Sequence, residues 1–351
     1  MTGAPAGPFR LTDRAARERA EEQLAPAATR AADSRGRARP EAEDSLRTAF
    51  ERDRDRILHA KAFRRLKHKT QVFLHPDGDH FVTRLTHTLQ VTQVARSLAR
   101  ALGLNESLAE AIALGHDVGH SPFGHIGEDA FDPYVEGGWH HAAQGVRIVE
   151  VLENLNLTWE VRDGIRAHSW KIDPPPSTRE AECVRYADRI GYLSHDALDA
   201  ARAGVIRAGD LPARALAVFG QPGSEMVGSM IDAVVQGSLA AADTAAGAVV
   251  MAPEALAAMH ELRDFMFARV YASDVAAGQK HVAVDVIRRL VDHHLAHPEL
   301  IPATYRDTEA PVLTQVVDYV SGMTDRFALA THDRLFDADA SAQMRPLLGE
   351  R

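Results

Sequence analysis

The chain has 351 residues, 45% hydrophobic and 25% charged, a balance that supports a large buried core and excludes disorder as the overall state. Its formal charge of -9 repels polyanions at long range, so a nucleotide or nucleic-acid site needs cations gathered locally. No run approaches the roughly 20 apolar residues of a membrane span, because the Ala/Val-rich stretch around 238–259 is broken by Asp243, Pro253 and Glu254.

The opening MTGAPAGPFR lacks the apolar core of a secretion signal, and the single cysteine, Cys183, can make no intramolecular disulfide. A reducing cytoplasm, and no membrane partner, are the resulting expectations. Cys183 lies on an amphipathic stretch and reads as a buried structural thiol.

Residues 1–45, rich in Ala, Arg, Glu and Pro, offer little for a core and predict a flexible arm. Cations do gather next: eight basic side chains, Arg52, Arg54, Arg56, Lys61, Arg64, Arg65, Lys67 and Lys69, stand against three acidic ones between Glu51 and Lys69. This stretch reads equally as a polyanion site and as a solvated helix laced by ion pairs such as Asp53 with Arg56. A short β-hairpin fits 71–82, where Gln71–Leu74 and Phe81–Val82 flank the turn-forming HPDGD.

Apolar residues at 85, 89, 91, 94, 98 and 102 before Gly103 predict a helix, and Asn105 caps the next, which ends at His116-Asp117 ahead of Gly119, Pro122 and Gly124. Further helices are expected at 141–154, 159–169, 178–203, 229–240, 254–272, 280–296, 309–331 and 339–347, with a loop at KIDPPPST, whose three prolines bar a helix. The fold class is therefore all-α. No GxxxxGK[ST] phosphate loop is present, which leaves phosphate chemistry to side chains and metal.

Ten of the 18 histidines lie between His59 and His141. A lone helical histidine is usually a satisfied surface or core residue; the joint pattern of His87, His116, Asp117 and Asp188 supplies two imidazoles and two carboxylates. Nitrogen and oxygen donors without thiolates suit a divalent Mn, Fe, Co, Ni or Mg ion better than structural zinc. Four protein ligands on an octahedral ion leave positions for water and a phosphoryl oxygen. A carboxylate at a helix C-terminus opposes the dipole, so Asp117 calls for a cation nearby.

The strings RDRDRILHAKAFRRLKHKTQVF, GDHFVTRLTHTLQV, ALGHDVGHSPFGHIGE, YADRIGYLSHDALDAARAG and SGMTDRF resemble bacterial deoxyguanosine triphosphate triphosphohydrolases, within the HD superfamily of metal-dependent phosphohydrolases. The resemblance runs from about Arg47 to Leu335 and implies an HD helical bundle over 46–205 with a C-terminal helical region, 206–351, packed on it. It puts His87, His116, Asp117 and Asp188 in the metal-ligand places, holding one divalent ion per subunit, Mn2+ or Mg2+ first and Co2+, Ni2+ or Fe2+ after them.

It further puts His120, His125 and Glu128 around the phosphates, with His125 the leading catalytic residue, oriented by Glu128 at i,i+3 and acting as acid, base or proton relay. His141 matches a phosphate-contacting histidine, although Ala142 stands where the family pattern has Asn; Gln71 matches a reader of sugar and base edge, Arg84 a phosphate or sugar contact, and Arg189, Tyr192 and Asp196 contacts to the triphosphate and 3'-hydroxyl. SGMTDRF is expected to pack a late helix on the core.

The implied reaction is attack of a metal-activated water on the α-phosphorus of dGTP or another dNTP, giving deoxynucleoside and inorganic triphosphate. An activating dNTP, single-stranded nucleic acid and further copies of the chain, as in ring-like hexameric relatives, are the other partners implied. The alternatives are a different HD-type phosphohydrolase (a phosphodiesterase, a nucleotidase, or a dinuclear enzyme with a second metal at His120, His125 and His141) and a non-catalytic nucleic-acid binder.

Overall fold

The structure, a computed structural model, describes residues 9–72, 81–242, 247–271, 274–306, 309–336 and 340–343. Among the described residues every regular element is a helix, with two isolated bridges and no sheet. The protein is all-α.

After α1 (Arg14–Ala20), α2 (Ala49–His59) starts on a reciprocal cap in which Thr48 accepts the Glu51 N–H and Glu51 accepts that of Thr48. A short α3 (Lys61–Arg65) follows. Thr83 caps α4 (Arg84–Ala101) through the Thr86 N–H, and Asn105 caps α5 (Glu106–Gly115) through Ser107 and Leu108. Next come α6 (Gly124–Phe131), α7 (His141–Arg147), α8 (Trp159–Ala167) and the long α9 (Arg179–Arg202). The C-terminal half holds α10 (Ala213–Phe219), α11 (Ser224–Ala240), α12 (Pro253–Met266), α13 (Asp274–Ala296), α14 (Ala303–Arg306), α15 (Val312–Ser321), α16 (Asp325–Phe336) and α17 (Ala340–Gln343).

Helix α4 lies against α9 and α5, and α5 is flanked by α2 and α8. Their apolar stripes, including Val91, Val94 and Leu98 of α4, Leu108 and Ile112 of α5, and Val184, Ile190 and Leu193 of α9, close one core. Burying a side chain such as Leu98 in it contributes roughly 1.5–3 kcal/mol. This packing sets the N-terminal turn of α4, the C-terminal exit of α5 and the middle of α9 side by side.

Several expectations change. The segment foreseen as a flexible arm is anchored over its described part: the half-buried Arg37 pairs with the fully buried Asp53, Glu180 accepts from the Thr29 N–H and hydroxyl at 2.9 Å each, and Glu160 accepts from Ser34 and Arg35 at 2.7 Å each. Polar hydrogen bonding holds it where apolar burial could not. The tip of the foreseen hairpin, 73–80, lies outside the described residues; beside it stands a lone antiparallel bridge between Thr70 and Thr83. Much of the basic stretch is spent internally, Arg52 and Arg56 on Glu41, Arg54 on Asp55 and Glu110, and Lys69 in the core, leaving Lys61, Arg64 and Lys67 exposed.

Nor does the core divide at 205. The first core continues through α10, α11 and α12 to Val270, because their apolar faces pack on α9 and one another. A second core, built from α13, α15 and α16, takes in Phe123, Phe131 and Trp139 from the preceding part of the chain. The helix foreseen over 309–331 is two, α15 and α16, parted at Gly322–Thr324.

Candidate active site

Four donors meet where α4, α5 and α9 converge. His87, one turn into α4, places Nε2 3.2 Å from Asp188 Oδ1 and 3.9 Å from Asp117 Oδ2. His116 closes the end of α5 and sets Nε2 3.4 Å from Asp117 Oδ1 and 3.9 Å from Asp188 Oδ1. Its Nδ1 donates to the Ala113 carbonyl at 2.6 Å, so Nε2 carries the lone pair, and that buried nitrogen has no hydrogen-bond partner. An orphaned buried imidazole nitrogen facing two carboxylates is what a divalent cation satisfies; His87, His116 and Asp188 offer donor atoms all within 4.8 Å of one another, while Asp117 groups in the same way with His141 and His168. The residues present therefore fit a metal ion.

Burial works against ionising Asp117, yet His116, Arg84 and His120 outweigh it and hold the carboxyl well below its usual range. Burial likewise opposes ionising Asp188, whose pKa is nevertheless lowered to about 2, chiefly by the hydrogen bond to His87. Both carboxylates stand ready as anions.

Arg84 supplies the cation that Asp117 requires. Its Nη1 donates to Asp117 Oδ2 at 2.8 Å, while Nε and Nη2 donate to the Thr70 carbonyl at 3.3 and 3.1 Å. At 1% exposure Arg84 is placed behind Asp117, differing from the expectation of an open phosphate or sugar contact, because its guanidinium is taken up by these two partners.

A second cluster adjoins the first. His120, 1% exposed, lies 3.2 Å from Asp117 Oδ1 through Nε2 and stacks on His141 at 3.9 Å between ring centroids. Burial, then Arg84 and His141, push its pKa well down, which favours the neutral ring. Glu128 Oε1 accepts from His125 Nδ1 at 2.7 Å and from His141 Nδ1 at 2.9 Å. Burial opposes its ionisation, but His141 and His125 hold it well below the usual carboxylate range. His141 is 4% exposed with both ring nitrogens engaged, so, like His120, it stands behind the surface where a phosphate contact was expected. His125 alone of this group is open, with 73% of its side chain exposed. The surrounding protein disfavours its charged form, and the Glu128 hydrogen bond and charge more than offset this, raising its pKa.

The loop carrying these residues is shaped by close approach. A Cβ on Gly119 would fall 2.0 Å from the His141 carbonyl oxygen, so glycine there lets the start of α7 press on the loop. Phe123 adopts φ 63°, the left-handed region, and its N–H is held by Asp325 Oδ1 at 2.9 Å; Asp325 Oδ2 accepts the Thr70 N–H at 2.8 Å. The motif SGMTDRF thus does more than pack a helix: Asp325 ties the loop and the segment beside Gln71 to α16.

Gln71 and Asp196 face each other across a small cleft that Val72, Phe81, Val82 and Asp199 complete. Gln71 Oε1 is buried without a partner. Asp196 accepts from the Tyr271 hydroxyl at 2.7 Å, and burial raises its pKa to about 8. Arg189 lies with its guanidinium carbon 4.3 Å from the Trp170 ring centroid, and Tyr192 follows it on α9. The sequence pattern had pointed to Arg189 and Tyr192 but not to Trp170.

It also missed His168, which bonds His141 nitrogen to nitrogen at 2.9 Å. The signal was there: Val161, Ile165 and His168 follow one helical stripe, which puts a histidine on a buried face. Lys69, read as a surface cation, is instead buried, its Nζ donating to the His120 and Ser321 carbonyls.

Comparison with known proteins places this site within a family. The HD domain family matches residues 84–193, and the phosphohydrolase-associated domain family matches 249–334. A deoxyguanosinetriphosphate triphosphohydrolase-like protein of Caldanaerobacter subterraneus subsp. tengcongensis is 45% identical, covering 89% of this chain and 92% of that one. Proteins of the same description from Desulfatibacillum aliphaticivorans and Clostridium perfringens strain 13 are 42% and 40% identical, covering 89% and 87% of this chain and 94% and 91% of theirs. The fold is shared with a solved hypothetical protein from Aquifex aeolicus, at TM-score 0.52 and 19% identity over 83% of this chain and 69% of that one. It is shared too with a phosphohydrolase from Bacteroides thetaiotaomicron VPI-5482, at TM-score 0.52 and 16% identity over 82% and 70%.

Proposed function

Since the chain belongs to the deoxyguanosinetriphosphate triphosphohydrolase-like family and carries its HD domain, and is thus a metal-dependent phosphohydrolase, we propose that its substrate is a deoxynucleoside triphosphate, dGTP foremost. The bond cut is that between the 5' oxygen and the α-phosphorus, releasing deoxynucleoside and inorganic triphosphate. The observation that carries this reading is the adjacency of a four-donor cation site to a solvent-facing histidine braced by a buried carboxylate.

His87, His116, Asp117 and Asp188 would hold the cation, Mn2+ or Mg2+ in the first instance. Such an ion supplies Lewis acidity for activating water and charge to offset the phosphoryl oxygens. Arg84 keeps Asp117 aimed and ionised from behind. His125 commits Nδ1–H to Glu128, which leaves Nε2 for the substrate. Its raised pKa favours the protonated ring, which is suited to hand a proton to the departing 5' oxygen. Arg189, steadied on Trp170, would offset phosphate charge, and the cleft of Gln71, Phe81 and Asp196 would take sugar and base.

Purified protein with Mn(II) should convert dGTP, or a dNTP mixture, to deoxynucleoside and tripolyphosphate, assayed with and without a second nucleotide; pyrophosphate and dNMP instead would reject the reading. His125→Ala should keep its metal and lose mainly kcat. The grouping of His120, His125, Glu128 and His141 within 4.8 Å favours, as a second reading, a dinuclear phosphohydrolase. Elemental analysis separates them: one ion per chain supports the first reading, two the second.

A further inference from the structure

His168 leaves the end of α8, is 1% exposed, and directs Nδ1 to the Ile165 carbonyl at 2.8 Å. A carbonyl only accepts, so Nδ1 bears a proton, and Nε2 is the nitrogen turned toward His141. His141 Nε2 lies 2.9 Å from it, and the two nitrogens share one hydrogen bond. The other nitrogen of His141 meets Glu128 Oε1 at 2.9 Å, and a carboxylate also only accepts. The oxygen that His141 reaches is the one that receives His125 Nδ1–H at 2.7 Å. A continuous line runs from the Ile165 carbonyl through His168, His141 and Glu128 to the open ring of His125.

We propose that His168 is a positioning residue for the hydrolysis: by its hydrogen bond to His141 it fixes that ring, which orients the Glu128 carboxylate, which in turn aims His125. Without a partner at this place, His141 Nε2 would be buried and unpaired, and the ring would turn to find another. The stack with His120, 12° from parallel, would be lost with it. His168 also sets its ring against His116 at 5.2 Å between centroids, so it backs both clusters without being placed among the four donors. The inference rests on His125 being the group at the reacting end.

Two substitutions separate positioning from bulk. In His168→Gln the amide falls near the place of Nε2 and can hydrogen-bond His141. In His168→Asn the amide nitrogen falls near the place of Nδ1, which keeps the bond to Ile165 but leaves His141 no partner. Loss of a hydrogen bond behind a site residue commonly costs on the order of 10- to 100-fold. His168→Asn should fall by that much in kcat with KM within about twofold, and His168→Gln should regain most of the loss, both keeping the metal content of the parent.

In the metal-free full chain, the low-field imidazole N–H resonance shared by His141 and His168 should vanish in His168→Asn and persist in His168→Gln. Equal kcat in the two variants, or metal loss in His168→Asn, would overturn the proposal. If the parent itself releases no tripolyphosphate, the functional reading fails instead. The spectra still judge His168 in that case: an unaltered resonance in His168→Asn refutes its contact with His141.

Discussion

Asp325 is the side chain on which the geometry of the HD loop most visibly depends. It is 7% exposed and receives two backbone amides from remote segments, Thr70 at 2.8 Å and Phe123 at 2.9 Å. Asp325→Ala removes both acceptors, and each amide left without a partner costs about 1–3 kcal/mol, so the pair amounts to about 2–6 kcal/mol. Phe123 sits in the left-handed region between His120 and His125, and without its tether the strained turn can relax, carrying His125 off its alignment. Urea unfolding of parent and variant at matched metal loading reads the stability term, and kcat on the same samples reads the loop. Destabilisation below about 0.5 kcal/mol, the range of an ordinary surface change, together with parental kcat, would refute the assignment of Asp325 as the tie between α16 and the site.

Asp117→Ala should abolish metal retention and turnover together, since it removes a donor and leaves the buried Arg84 guanidinium without its counter-charge; full metal content by elemental analysis would contradict its place among the ligands. Asp196 gives a pH signature: the folded carboxyl keeps its proton up to about 8, whereas the unfolded one releases it near 3.8, so the folded state binds more protons between these values and stability falls as pH rises through them. Asp196→Asn, which can still accept from Tyr271, should flatten the decline in urea midpoint from pH 6 to 8, and an identical slope in both proteins would dismiss the argument. Arg37→Ala deprives the buried Asp53 of its ion-pair partner, at a cost of roughly 3–5 kcal/mol, lessened because Asp53 also accepts the Thr158 N–H. Proteolysis within 9–45 should quicken while kcat holds; resistance equal to the parent would mean the anchoring lies elsewhere.

The helical class and the spans of α4, α5 and α9 were legible because apolar residues recurring at helical spacing, with Thr, Asn and Gly at the ends, are local signals that need no partner to be read. The demand of Asp117 for a nearby cation was legible too, from the dipole of a helix end. Which cation met it was not. Arg84 lies 33 residues away, and only the packing of α4 on α5 makes it a buried clamp and not an open contact.

The arm misled for a related reason. Its few apolar groups correctly indicated that it could build no core, but its anchorage comes from single long-range hydrogen bonds to Asp53, Glu160 and Glu180, which leave no periodic trace. The histidines divide the same way. Sequence singled out His120, His125, Glu128 and His141 as a set, whereas exposure, which ranks them, is a property of the closed fold: His125 open, the others sealed behind it. His168 and Asp325 lie 27 and about 200 residues from the groups they hold. What the chain spells out along its length is chemistry and helical period; which carboxylate faces which imidazole is decided only when distant helices meet, because hydrogen bonds act over about 3 Å of space whatever the separation along the backbone.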